Sequence, residues 1–600
     1  MPISKQRQCE LVSPKARTCL RLYFEVTKLK IWNIRLRRLA MKSYLAASIQ
    51  MWVGKNEQEN LERCLEKLDE AAGNGAKLIV FPESVNTSGP YESRQEAFDQ
   101  ALTIPGRFTE EICQKAAAHG VHVALNLNEK SESPRVYHTT ILISSDGEIL
   151  GKYRKHLLWA DEYDYFVPDR AGFPVFETEL GRIGMYVCAD GLIPETTRCL
   201  ALNRAQVLVN MLASKGPDES WLHVPARSSE NRTFVISANQ VGQPGELRPR
   251  VGGGLILSPR GEVIAKASEI HEDIVYGTIT PEEADDKSCG EQNDLFVDRR
   301  PDLYRLLSEE TDQLPLLQDA NNARGEFGMV KVAAVQVDWK PDPAHALDRA
   351  LEIAEDAASK GAKILVLPEL FLFDVASLGD RLEAAVKESQ DALDQFKKLA
   401  KAHSAYVILN LVEKEGEKFY NSTFLVDENG EICGKYRKTH LWGSEKKWAE
   451  AGDALPVFST PYGTVGIMTG YEVLFPEVAR VLTCMGASLI LHPCTWELDD
   501  DPSLTVRIRS AENHIHIVSA NRPDSAAKRG SMITTVHPFP SQPHWKVRYP
   551  GVEEAPPGVE FHILSDIDMN APSQKTIAVH TDLIRNRYPE LYEILSRPVR

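Results

Sequence analysis

The sequence presents one series of motifs twice, and this duplication limits the possible fold more than any other feature. Five segments of the first half recur in the second half in the same order, with an offset of 282 to 288 residues. Solenoid repeats have periods of about 20 to 50 residues, so the repeated unit here is a whole domain. The recurring pairs are GAKLIVFPES (75–84) and GAKILVLPEL (361–370), DGEILGKYRKHLLW (146–159) and NGEICGKYRKTHLW (429–442), IPETTR (193–198) and FPEVAR (475–480), SSENRTFVISAN (228–239) and SAENHIHIVSAN (510–521), and RRPDLYRLL (299–307) and RYPELYEIL (587–595).

The duplication predicts two domains within the chain of 600 residues. We assign the first copy to residues 41–310, a polar linker to 311–328 and the second copy to 329–600. Residues 1–40 contain ten Lys or Arg but only two Glu, and are expected to form a disordered basic extension. An organellar presequence is the alternative interpretation, because such segments are also basic and poor in acidic residues.

Composition excludes several classes of protein. The net charge is −16, from 69 Lys and Arg against 85 Asp and Glu, and an acidic surface repels a phosphate backbone, so no nucleic-acid partner is expected. No apolar run approaches the roughly 18 residues of a membrane span. The ten cysteines and 16 histidines lack metal-ligand spacing, which predicts reduced thiols, a cytoplasmic location and no metal or organic cofactor.

Within each copy, strand and helix patterns alternate. YLAASIQM, LIVF (78–81), RIGMYVCAD, AQVLVNML and TFVISAN have the apolar character of strands, and residues 137–155 predict a hairpin turning at Ser145-Asp146-Gly147. Between the first two strands, apolar residues recur at helical spacing on one face: Leu61, Cys64, Leu65, Leu68 and Ala72. This alternation predicts a layered α/β domain with sheets inside and helices outside.

Three predicted strands of the first copy end at groups capable of chemistry. Glu83 follows LIVFP, Lys155 follows GKYR and Cys188 follows GMYV. Reactive side chains of α/β folds commonly lie where strands end and loops begin. Taken singly, these residues have structural interpretations: a helix-start acid, a solvated lysine and a core thiol. The motifs that flank them recur in the same order and at one spacing in both copies, which favours a shared site instead.

The three motifs FPES, GKYRKHL and GMYVCADGLIPE resemble the signature blocks of the nitrilase superfamily of carbon–nitrogen hydrolases. The resemblance covers both copies and implies an α-β-β-α sandwich in each. It also implies a triad in which Glu83 is the general base, Lys155 stabilises the oxyanion and Cys188 is the nucleophile. A second glutamate of the family corresponds to Glu162, although its charged surroundings (ADEYDY) also fit a solvated turn.

The second copy departs from this pattern at one decisive position. Glu369 and Lys438 persist, and Glu445 matches Glu162, but alignment of GMYVCADGLIPE with GIMTGYEVLFPE places Gly470 opposite Cys188. Because glycine has no side chain with which to attack, we expect a pseudo-catalytic domain that acts as a structural partner or a regulatory pocket. Family members commonly pair through a helical face and their C-terminal tails, so the resemblance implies an intramolecular pseudo-dimer.

The reaction class remains open at this stage. Nitrilases of the family usually follow the cysteine with Trp-Glu, whereas Cys188 is followed by Ala189-Asp190-Gly191, which favours hydrolysis of a small-molecule amide or N-carbamoyl substrate. Nitrile hydrolysis and acyl transfer to an amine are alternatives that use the same triad. A non-catalytic binding or scaffold protein is the competing class, and further homo-oligomerisation is possible. Arg227 and Arg509, at matching places, fit either a substrate carboxylate site or a structural ion pair.

Overall fold

The computed structural model describes residues 43–216, 218–242, 250–290, 292–318, 327–496, 502–539 and 549–598. The predicted basic extension (1–40) and residues 319–326 of the predicted linker lie outside the described residues. The part of the linker that is described is ordered, because Pro315–Gln318 forms a single helical turn after the buried Leu314.

The first copy is built on two six-stranded sheets that stack face to face. Side chains join them across the stack: the Ser48 hydroxyl donates to the Ser237 carbonyl at 2.8 Å. In spatial order the first sheet contains Asp273–Ile279, Tyr44–Gln50, Leu78–Val80, His122–Lys130, Val136–Ile143 and Ile149–Arg154. The second contains Val263–Lys266, Leu255–Leu257, Phe234–Asn239, Val207–Leu212, Gly181–Val187 and Val175–Thr178.

Helices cover the outer face of each sheet, as the alternating pattern predicts. Glu57–Gly73 buries the predicted apolar stripe against the first sheet, where Leu61, Cys64 and Leu68 share a core with Ile79. The other helices of this copy are Arg94–Gln100, Arg107–His119, Glu162–Tyr165, Pro194–Leu202 and Val224–Asn231. The α-β-β-α sandwich is therefore confirmed.

The second copy repeats this architecture. Its first sheet contains Ile432–Arg437, Lys418–Val426, Tyr406–Glu415, Ile364–Val366, Met329–Gln336 and Phe561–Asp568. Its second contains Val457–Thr460, Gly463–Ile467, Leu489–Pro493, His516–Ala520, Met532–Thr535 and Gly551–Glu554. The covering helices are Pro343–Ser359, Leu382–His403, Pro476–Cys484 and Pro502–Asn513.

The two copies pack together as a pseudo-dimer. Helix Val224–Asn231 faces Pro502–Asn513, with Ala226 and Ile508 in one apolar cluster. Reciprocal buried ion pairs surround this contact. Arg227 Nη2 lies 2.7 Å from Glu512 Oε2, and the matching Arg509 Nη2 lies 2.7 Å from Glu230 Oε2. Equivalent residues exchanging equivalent contacts indicate a pseudo-two-fold relation, so Arg227 and Arg509 form structural ion pairs.

A second pair of reciprocal networks lies at the helix starts. Glu477 Oε1 accepts from Arg198 Nε and Arg299 Nε of the first copy, both at 2.8 Å. The matching Glu195 Oε1 accepts from Arg587 Nε of the second copy at 2.9 Å, and Arg480 Nε lies 3.0 Å from the same oxygen.

Within the described residues, no helix is long and apolar enough to cross a membrane.

Candidate active site

Cys188 lies in a sharp turn at the end of a strand. The strand Gly181–Val187 stops immediately before it, and Cys188 has a left-handed backbone with φ of +46°. Such a conformation is strained for a residue with a side chain and is concentrated at functional sites. The side chain of Asp190 holds this turn, because its carboxylate accepts from Val187 N at 3.0 Å and Leu157 N at 2.8 Å. Asp190 thereby joins the turn to the segment that follows Lys155.

The other three predicted residues meet around one ammonium group. Lys155 follows the strand Ile149–Arg154 and is almost fully buried. Its Nζ donates to Glu83 Oε1 at 2.7 Å and to Glu162 Oε2 at 2.8 Å. Glu162 is itself fixed by its own turn, since Trp159 N donates to Glu162 Oε2 at 2.8 Å. Two carboxylates therefore hold one lysine in a fixed position.

The two carboxylates of this cluster share a cavity with the thiol. A cavity of about 770 Å³ is lined by Cys188, Glu83 and Glu162, together with aromatic side chains that include Trp52, Tyr91, Trp159, Tyr165 and Phe166. This volume is within the usual range for small-molecule sites. The structure thus brings all four sequence-predicted residues together.

The thiol and the ammonium of the cluster differ in charge at neutral pH. Burial, reinforced by the Glu83 charge, raises the pKa of the Cys188 thiol well above its usual value, although the Lys155 charge opposes this. Burial alone would lower the pKa of Lys155, but the Glu162 and Glu83 carboxylates outweigh it and raise that pKa. The resting site therefore holds a neutral thiol beside a permanent cation, and the thiol needs a base to become a nucleophile.

A buried histidine borders the cluster. His138 Nδ1 lies 3.1 Å from the Ser84 hydroxyl, and its ring is packed on Phe166. Ligand atoms of Glu83, His138 and Glu162 lie within 4.8 Å of one another, which is the spacing of a metal site. However, the Lys155 ammonium contacts both carboxylates. The positive charge that a metal ion would bring to these carboxylates is therefore already provided by the lysine.

The matching site of the second copy is closed. Lys438 Nζ donates to Glu369 Oε1 at 2.6 Å and to Glu445 Oε2 at 2.8 Å, as in the first copy. Asn421, which replaces His138, adds a further bond to Glu369 Oε1 at 2.9 Å. Gly470 keeps the left-handed turn with φ of +50°, and a Cβ at this position would lie 2.1 Å from Glu369 Oε2. The Glu369 carboxylate therefore stands where the nucleophile would be.

Little space remains around this closed site. The cavity beside Glu369 and Lys438 has a volume of about 30 Å³, against about 770 Å³ in the first copy. Among the residues that the structure describes, the second site therefore offers far less space than the first, which favours the structural-partner interpretation over the regulatory pocket.

The tail of each copy supports the site loop of the other. Thr581 Oγ1, in the second copy, accepts from Ala160 N at 2.8 Å and donates to the Leu158 carbonyl at 3.2 Å. The matching residue of the first copy is Asn293, which accepts from Gly443 N at 2.7 Å and donates to the Leu441 carbonyl at 3.0 Å. The loop that carries Glu162 is thus held from the other half of the chain.

Several residues of the site were not predicted from the sequence. Asp190 enters the sequence pattern only as a neighbour of the nucleophile. An acidic residue recurs at the matching position, Glu472, and this recurrence could have indicated its structural role. Asp218, Glu219 and Tyr549 also line the cavity. Tyr549 belongs to the second copy, and no pattern in the sequence indicates that it reaches the first site.

Comparison with known proteins identifies the same unit twice. The family model described as carbon-nitrogen hydrolase matches residues 45–287 and 331–533. The chain is 32% identical over 251 residues to a nitrilase of Pyrococcus abyssi, covering 41% of this chain and 93% of that protein. It is 30% identical over 284 residues to a citrullinase of Francisella tularensis subsp. tularensis (44% and 98%). It is 28% identical over 282 residues to the human omega-amidase NIT2 (44% and 98%).

Proposed function

This chain belongs to the carbon–nitrogen hydrolase family, and from that premise we propose that its first copy hydrolyses a small amide or N-carbamoyl compound through Cys188. One observation carries the proposal. A thiol and two carboxylates line a cavity large enough for a small molecule, and the same two carboxylates hold a buried ammonium between them. The similar proteins named nitrilase, citrullinase and omega-amidase support carbon–nitrogen chemistry but differ among themselves in substrate.

The reaction would begin with proton transfer to Glu83. Glu83 takes the proton of Cys188, and the thiolate attacks the carbonyl carbon of the substrate. The Lys155 ammonium stabilises the negative charge that develops on the carbonyl oxygen, because a fixed cation in a buried site acts more strongly than in water. Glu83 then gives its proton to the departing nitrogen, the carbon–nitrogen bond breaks, and a thioester on Cys188 remains.

A water molecule then hydrolyses the thioester. Glu83 removes a proton from a water molecule, the hydroxide attacks the thioester, and the carbon–sulfur bond breaks to release the acid and restore the thiol. Glu162 serves as a positioning residue for Lys155, since the two carboxylates hold the ammonium between them. Nitrile hydrolysis and acyl transfer to an amine use the same groups, and are alternatives for the substrate panel to distinguish.

The substrate panel is the direct test. Purified protein is incubated with simple amides, N-carbamoyl compounds and nitriles, with and without an amine acceptor. We expect ammonia release from an amide or N-carbamoyl compound, together with an acyl adduct on Cys188 in the mass spectrum of quenched protein. Absence of both ammonia and adduct across the panel would instead favour a non-catalytic binding protein.

The cross-copy support of the Glu162 loop gives a second test. Thr581→Ala leaves the buried Ala160 N–H without its acceptor, at a cost of about 1–3 kcal/mol. Because this loop carries Glu162, we expect kcat/KM to fall about tenfold, which corresponds to 1.4 kcal/mol.

Asn293→Ala is the matched control for this test, because it removes the equivalent support from the copy that lacks the nucleophile. It should lower the Tm by a similar amount and leave kcat/KM within twofold of wild type. Equal losses of kcat/KM in both variants would show that the support acts on stability alone.

A further inference from the structure

A pair of buried acids forms one wall of the first cavity, and the proposed mechanism does not use it. Asp218 and Glu219 both line the cavity, and each side chain is more than nine-tenths buried. Glu219 Oε2 has no hydrogen-bond partner among the described residues. Neither carboxylate forms an ion pair with a lysine or arginine in the described part of the chain. A buried carboxylate without a positive partner is costly. Burial, reinforced by the Asp218 charge, accordingly raises the pKa of Glu219 well above its usual value.

The second copy completes this wall. Tyr549 lines the same cavity, its hydroxyl donates a hydrogen bond to the Asp218 carboxylate, and its ring meets Trp221 edge-on with a centroid separation of 5.6 Å. The otherwise closed half of the molecule therefore places a side chain in the open site.

The charged neighbours do not neutralise the two acids. The groups that act on them are Glu83, Lys155, Arg227, His223 and Tyr549. Lys215 and Arg250 also line the cavity, and neither forms an ion pair with the two acids in the described part of the chain. Lys155 is engaged by Glu83 and Glu162, and Arg227 by Glu230 and Glu512. Burial lowers the pKa of His223 to about 3, so the imidazole beside Asp218 is uncharged at neutral pH.

We propose that Asp218 and Glu219 bind a primary ammonium group of the substrate, with Tyr549 positioning Asp218. The inference rests on the proposed function and narrows it to an amide or N-carbamoyl compound that carries a cationic nitrogen besides the bond to be hydrolysed. An ammonium offers three hydrogen-bond donors, which suits two adjacent carboxylates. It would also supply the charge that this wall lacks.

A pair of amides of equal length tests the proposal. In 4-aminobutanamide an ammonium replaces the terminal methyl group of pentanamide, and succinamate provides an anionic counterpart. At pH 8 we expect kcat/KM to be at least about tenfold higher for 4-aminobutanamide than for pentanamide, mainly through KM, and lowest for succinamate. Glu219→Gln should bring the ratio of the first two close to one. The control Glu282→Gln, at an exposed position of the first copy, should leave the ratio unchanged.

The pH dependence of the kcat/KM ratio of the two amides tests the role of Asp218 within the acid pair. Burial raises the pKa of Asp218 to about 6, and the Tyr549 hydrogen bond opposes this rise. Below that pH the acid is neutral and binds a cation less well, so the preference for 4-aminobutanamide should shrink as the pH falls through about 6. Tyr549→Phe removes the opposing bond and should shift this loss to higher pH.

The outcomes separate this proposal from the general one. A wild-type ratio near or below one, or an equal loss for both amides in Glu219→Gln, would overturn the ammonium subsite while leaving amide hydrolysis standing. If no amide is hydrolysed, the proposed function fails instead. The ammonium subsite is then tested by calorimetric titration of Cys188→Ala protein with butylammonium chloride. A binding heat that the added substitution Glu219→Gln does not reduce would contradict the subsite.

Discussion

Replacing Cys188 with alanine is expected to lower kcat for any hydrolysed amide by at least about 10⁴-fold, the size of effect seen when a covalent nucleophile is removed. The remaining groups can polarise a carbonyl but cannot form the thioester. Alanine keeps the Cβ and the left-handed turn of residue 188, so the fold should persist. Ammonia release under saturating substrate measures the loss, and the acyl adduct should disappear from the mass spectrum.

Cys113 provides the control for this experiment. It is a partly buried cysteine on the helix Arg107–His119 of the same copy, outside the cavity. Cys113→Ala should retain wild-type kcat, and both variants should melt within a few degrees of the parent protein. A Cys188→Ala protein that keeps a tenth or more of the activity would remove the covalent mechanism.

Glu477→Gln is expected to give the largest loss of stability among substitutions between the copies, about 3–5 kcal/mol in the free energy of unfolding. The substitution leaves Arg198 and Arg299 buried without their counter-charge. Urea unfolding, followed by fluorescence and by circular dichroism together, measures the change. A loss below about 1 kcal/mol would show that water reaches this network.

The same carboxylate predicts a dependence of stability on pH. Burial alone would raise the pKa of Glu477, but the two guanidinium groups outweigh it and lower the pKa to about 2. A lowered pKa in the folded state stabilises the protein above the unfolded value near 4.5, and the contribution is lost as the pH falls toward 2. Glu111→Gln, in an exposed pair with Arg107, is the control and should cost less than about 1 kcal/mol.

The sequence was sufficient for the fold of each copy and for the grouping of Lys155 with Glu83, Glu162 and Cys188. Repetition fixed the domain length, and Glu83, Lys155 and Cys188 each followed an apolar strand whose bounds the structure confirms within a few residues. Local pattern determines these features, since strands and their ends are encoded by nearby residues.

Contacts between the copies lay beyond this reasoning. Thr581 and Tyr549 reach the first site because the pseudo-two-fold packing brings distant segments to it, some 330 to 420 residues away along the chain from the residues they contact. The closure of the second site was only half predicted. The loss of the thiol was visible at Gly470. The Glu369 carboxylate fills the vacated space and also accepts a hydrogen bond from Asn421, a contact that sequence patterns do not reveal.

The occupied turn at Gly470 opposes the return of a nucleophile to the second copy. A cysteine restored there would place its Cβ 2.1 Å from Glu369 Oε2, closer than any real contact between such atoms. The bonds of Glu369 to Lys438 and Asn421 use its other oxygen, Oε1. A single codon change at residue 470 therefore meets an occupied position, and a cysteine there requires the Glu369 carboxylate to turn away first.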